Sequence, residues 1–107
     1  MQSNGDANRV EIVGTVVEAP KVRYSPAGIP IARFLLEHSS EQMEAGTRRQ
    51  LSFRVGVRAA GTSLVDVVNG LPAGSDLRVM GHLARARQRA GDTRLIISAA
   101  RIERLSS

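Results

Sequence analysis

The ten residues "RARQRAGDTR", 85 to 94, hold four arginines and one carboxylate around the Gly91-Asp92 pair of a turn. Side chains alternate along an extended chain, so Arg85, Arg87 and Arg89 form a single row if the segment is a strand, a geometry that suits successive phosphates. A second arginine pattern lies in "RRQLSFRVGVR", where Arg48, Arg54 and Arg58 share parity with Gln50 and Ser52 and emerge on one side of a strand. Both patterns also have a plain use. Charged hairpin tips keep strand edges unpaired, and a barrel with one solvated face must place polar residues somewhere.

Chemistry other than binding finds little material. There are two histidines, His38 and His82, and no cysteine, and the carboxylates are scattered. The chain has no metal-ligand spacing, phosphate-binding loop, dinucleotide fingerprint or nucleophile elbow. The expectation is a protein without catalysis, metal or cofactor.

Fifteen basic residues against ten acidic give a net charge of +5, and Lys21 is the only lysine. Arginine presents a planar fork of donors that matches phosphate and stacks on bases, which fits a nucleic-acid partner and equally fits a compositional bias. The surplus is greatest from Arg78 to Arg104, where seven arginines face only Asp92 and Glu103. The polar start, "MQSNGDAN", has no apolar core, and no apolar run reaches the roughly 18 residues of a membrane span, so a cytoplasmic protein without a membrane partner is expected.

The elements that position these residues follow from periodicity. Residues 8 to 105 read as one domain behind a flexible tail, 1 to 7. "NRVEIVGTVVEA" is a β-branched strand whose Gly14 fits a bulge or a close backbone approach. "YSPAGIP" is a turn with Pro26 presetting it and Gly28 closing it, so the strands on either side form a hairpin with "IARFLLEH". Residues 39 to 47 read as a polar loop into the strand "LSFRVGVRA", whose Leu51, Phe53, Val55, Val57 and Ala59 alternate with polar or small residues. A short helix follows around Leu64, Val67 and Val68, capped by Thr62 or Ser63 and stopped at Asn69-Gly70 and Pro72. "DLRVMGHLA" and "TRLIISAARIERL" complete the set.

Five strands with one short helix between the third and fourth is the order of an OB-fold, an all-β five-stranded Greek-key barrel. Gly14 and Gly81 permit the coiling that such a barrel needs. Its ligand groove is bounded by the second and third strands and by the loops joining strands one to two and four to five. Lys21, Arg23 and Tyr24 fall in the first of those loops, and "RARQRAGDTR" is the second. The basic clusters are therefore expected to converge. Stacking platforms are scarce: Phe34 and Phe53 have core parity, which leaves Tyr24 as the aromatic candidate.

The segments "NRVEIVGTV", "SPAGIP", "FLLEH", "EAG" before "RRQ", and "RARQRAG" together resemble the primosomal replication protein N (PriB) family of single-stranded-DNA-binding proteins, from Asn8 to Leu105. The resemblance implies a non-catalytic OB-fold homodimer that acts in primosome assembly during replication restart, with single-stranded DNA and the PriA helicase as partners. Other primosome proteins and single-stranded-DNA-binding protein are further candidate partners. The family's basic loop maps onto Arg85, Arg87, Arg89 and Arg94, its first-hairpin contact onto Arg23, and its strand-three entrance onto Arg49. Where family members carry aromatics near that entrance, this chain has Thr47, Leu51 and Ser52. An adaptor with a weak DNA contact and an RNA-binding OB module stay open as alternatives.

Overall fold

The computed structural model describes residues 4–87, 90–91 and 93–105. After a single 3-10 turn, Asn4–Asp6, come strands β1 (Val10–Val16), β2 (Lys21–Tyr24), β3 (Pro30–Glu44) and β4 (Thr47–Ala60), the helix α1 (Thr62–Val68), then β5 (Asp76–Arg85) and β6 (Leu95–Arg104). The sheet runs β1-β5-β6-β4-β3-β2, and a β1–β3 pairing closes five of these strands into a barrel. Every neighbour is antiparallel except β4 and β6. Lys21–Tyr24, expected in the loop after the first strand, is a strand of its own, β2, separated from β1 at 17–20, where Pro20 has no N–H for a ladder. The helix accordingly follows the fourth strand segment.

Closure depends on two glycines. A Cβ on Gly14 would run into the Glu37 carbonyl oxygen of β3, and one on Gly81 into the Ser98 carbonyl oxygen of β6. Gly81 also sits at a register shift between Met80 and Gly81 that bends β5. Inside the barrel, Ala32, Phe34 and Leu36 of β3 face Ala59 and Val57 of β4, with Leu77, Val79, Ile97 and Ile102 from the other side. Val65, Val68 and Leu71 plug one end. The helix N-cap is Gly61 with no side-chain cap, so neither Thr62 nor Ser63 caps it. At the β2–β3 turn the Gly28 N–H donates to the Ser25 carbonyl and the Ser25 N–H to that of Ile29, with Gly28 at φ 83°. This is a type I turn closed by a left-handed glycine.

Residues 39 to 47 are not a loop. β3 and β4 run on as a ladder to Glu44↔Thr47, joined by a two-residue turn at Ala45 (φ 51°) and Gly46 (φ 76°). The arm projects beyond the barrel, both its faces meet water, and so the alternation that betrays a half-buried strand is missing. The same projection explains Phe53. It has core parity but lies where the barrel no longer covers that face, and it is 41% exposed, as are Leu51 at 42% and Val13 at 41%. His38 links two of these: its Nδ1 lies 2.7 Å from the Val13 carbonyl oxygen, and its ring centroid 5.0 Å from that of Phe53. β1 pairs with β5 from Val10 to Thr15 but with β3 only at Thr15 and Val16, which leaves its other edge without a strand partner over Val10–Gly14, touched there by the His38 side chain at Val13.

Candidate nucleic-acid interface

The outward face of the barrel carries a groove of about 590 Å³. Its floor is the central outward stretch of β3 and β4 with Ile96 of β6. One wall is the β1–β2 connection, with Glu18 and Ala19, and the other is the β5–β6 connection, with Ala86, Arg87 and Arg94.

Register decides what stands on the floor. Lys21 of β2 is opposite Arg33 of β3, and Arg33 is opposite Arg58 of β4, so three cations stand in one row across three strands. Ser98 of β6 extends the row beside Arg58. Like charges directly opposite one another destabilise a sheet, by up to about 1 kcal/mol per pair. Among the described residues no carboxylate pairs with Lys21, Arg33 or Arg58. Among the described residues Glu18 is the one acidic residue that lines the groove. A row of this kind lowers its own energy by binding an anion.

The other arginines are occupied differently. On the projecting arm, Arg48 meets Glu41 at 3.3 Å, Arg49 meets Glu44 at 3.5 Å, and Arg54 meets Glu37 at 3.6 Å. Arg48 and Arg54 share the groove's face, as parity predicts, whereas Arg49 is on the opposite one. Across the barrel, Arg78 bridges Glu11 at 3.3 Å and Glu103 at 3.2 Å, and Arg101 meets Glu103 at 2.9 Å. These exposed pairs each contribute about 0–1 kcal/mol, and by partly neutralising Arg48, Arg49, Arg54, Arg78 and Arg101 they give the groove row more weight in the surface field.

Of the residues singled out by sequence, Lys21, Arg58, Arg87 and Arg94 line the groove together. Arg23 shares a face with Lys21 two residues along β2 but lies outside the lining. Tyr24 alternates to the other face and is 71% exposed, away from the groove. Arg85 ends β5 as an exposed strand residue, Arg87 follows in a bend, and Arg89 lies outside the described residues, so the single extended row expected of these three does not form as far as Arg87. Arg33 was missed. Its signal was the same alternation that assigns Ala32, Phe34 and Leu36 to the core, because the residues between them must face outward.

The family described as "another single-strand binding protein family" matches residues 8–99. Replication restart protein PriB of Erwinia tasmaniensis is 37% identical over 101 residues, covering 94% of this chain and 96% of its own length. The chain belongs to the PriB family. Among solved structures, PriB of Ralstonia solanacearum superposes with a TM-score of 0.78 at 33% identity, over 94% of this chain and 99% of that one. The single-stranded DNA binding protein of Thermus aquaticus gives 0.75 at 26%, over 94% of this chain and 51% of that one. Family and structural neighbours agree with the OB-fold, and no helix among the described residues is long and apolar enough to cross a membrane.

Proposed function

We propose that this chain binds single-stranded DNA as a component of the replication-restart primosome, with its strand lying across the row Lys21, Arg33 and Arg58 and the arginines Arg87 and Arg94 reaching over it. The observation that carries this reading is that row of cations, without carboxylate partners among the described residues, in the floor of a groove. Membership of a family of replication restart proteins supports the cellular role. The role is binding rather than catalysis, in the cytoplasm, with the PriA helicase as protein partner. Fluorescence anisotropy of a labelled dT oligomer tests it: the oligomer binds with strong salt dependence and an unlabelled duplex of equal length competes poorly. Equal or stronger competition by the duplex overturns the single-strand reading.

The functional unit is a homodimer. An open strand edge beside exposed apolar side chains is a template for pairing, and the edge of β1 lies next to Val13, His38 and Phe53, with Leu51 two residues further along the same face. A second copy related by a two-fold axis would cover both patches at once and set two grooves side by side. Sedimentation equilibrium at micromolar concentration is expected to give a dimer, and Phe53→Asp a folded monomer. A wild-type monomer at that concentration contradicts the arrangement.

A further inference from the structure

One strand register along from the cation row, the groove floor changes character. Leu35 of β3 is directly opposite Gly56 of β4, and Gly56 is beside Ile96 of β6, so an apolar row lies parallel to the charged one. The two rows are two residues apart along each strand, about 6.8 Å, which is on the scale of the separation between a phosphate and its own base. Gly56 raises no side chain between its neighbours. A Cβ there would meet Ile96 Cγ2 at 3.0 Å, so Ile96 lies across the glycine toward Leu35. Leu35 is 44% exposed in the middle of a cationic surface. Phosphate gains nothing from an exposed leucine, and the sheet gains nothing from a strand-centre glycine.

We infer that this row, Leu35, Gly56 and Ile96, seats a nucleobase of the bound strand, with the Arg33 and Arg58 guanidiniums stacking against its face while the same row of cations holds the phosphates. The inference rests on the single-strand reading and adds the base contact. It supplies what the aromatic inventory lacks. Phe34 is in the core, and Tyr24 and Phe53 stand on the face opposite the groove. An aliphatic floor under a planar cation offers a base the same two things a ring does, apolar area and a flat polarizable partner. Such a seat has no fixed donors or acceptors, so it accepts any base.

The test compares two labelled oligomers of equal length, one of dT and one abasic with the same phosphates. Wild type is expected to bind the dT oligomer about tenfold more tightly than the abasic one, a ratio set by stacking. Leu35→Gln removes the apolar floor, and Arg33→Lys keeps the charge but removes the flat guanidinium. Each is expected to shrink the ratio about two- to fivefold, and Leu35→Gln, which lies outside the cation row, leaves abasic binding and its salt dependence unchanged. Both sites are exposed, so folding is preserved. A wild-type ratio in both variants overturns the base seat, as does loss of the ratio in Tyr24→Ala or Phe53→Ala instead. Failure of wild type to bind the abasic oligomer at low salt strikes the phosphate groove itself, and so separates the two readings.

Discussion

The double variant Arg33→Gln, Arg58→Gln binds single-stranded DNA fifty- to a hundredfold more weakly than wild type at low salt and is more stable. Each phosphate neutralised on a single strand contributes about 0.7 to the log–log salt slope, so at about 50 mM salt each lost contact costs nearly one decade of affinity. Losing two costs nearly two decades and makes the slope less negative by about 1.4. Stability moves the other way. Arg33 stands opposite Lys21 on one side and Arg58 on the other, and removing two of the three charges relieves about 0.5–1 kcal/mol of repulsion. For a domain of this size that is a rise in melting temperature of about 2–8 °C. Anisotropy and a thermal melt on the same preparation check both halves. A fall in melting temperature together with unchanged affinity would mean that the row is ordinary solvated surface.

The second large effect concerns closure. Gly81→Ala places a methyl group against the backbone carbonyl of Ser98 at the bulge that turns β5. Two hydrogen-bonded strands would have to separate to admit it, because backbone cannot swing aside as a flexible side chain can. A loss of more than about 3 kcal/mol is expected, a large share of the 5–15 kcal/mol that holds a typical domain together. Gly14→Ala, which meets the Glu37 carbonyl at the β1–β3 seam, behaves alike. Urea denaturation measures both, and a loss below about 1 kcal/mol in either would contradict the close approach. By contrast Gly46→Ala, in open space at the arm's tip, suffers only the strain of a left-handed residue.

Gly14 and Gly81 were legible in the sequence because each interrupts a strand pattern, where a glycine fits a bulge or a close neighbour. The barrel's core was legible for the same reason: Val57 and Ala59 alternate against Arg58, and Ala32, Phe34 and Leu36 against Arg33 and Leu35. The arm was not. Between Ser39 and Thr47 both faces are wet, so nothing in the pattern separates an extended ladder from a loop. Phe53 was assigned to the core by a parity that is correct, at a place where the core has already ended.

The site was half legible. Parity gave the face of Arg48, Arg54 and Arg58, but only register shows Lys21, Arg33 and Arg58 in line, and register is long-range information that one strand does not contain. Nor can composition tell a paired arginine from an unpaired one. Arg48, Arg49 and Arg54 look as available in the sequence as Arg58 does, yet each has a glutamate within 3.6 Å. Opposite signs on facing strands are the device that separates the structural arginines of the arm from those of the groove.

The central claim, that the groove floor is a phosphate-binding row, is tested most directly by the salt dependence of wild-type affinity for a labelled dT oligomer. With four to five cations engaged, the account predicts a log–log slope of about −3 to −3.5, becoming about −1.5 to −2 in the Arg33→Gln, Arg58→Gln variant. A wild-type slope near zero, or one that the double substitution leaves unchanged, would contradict it.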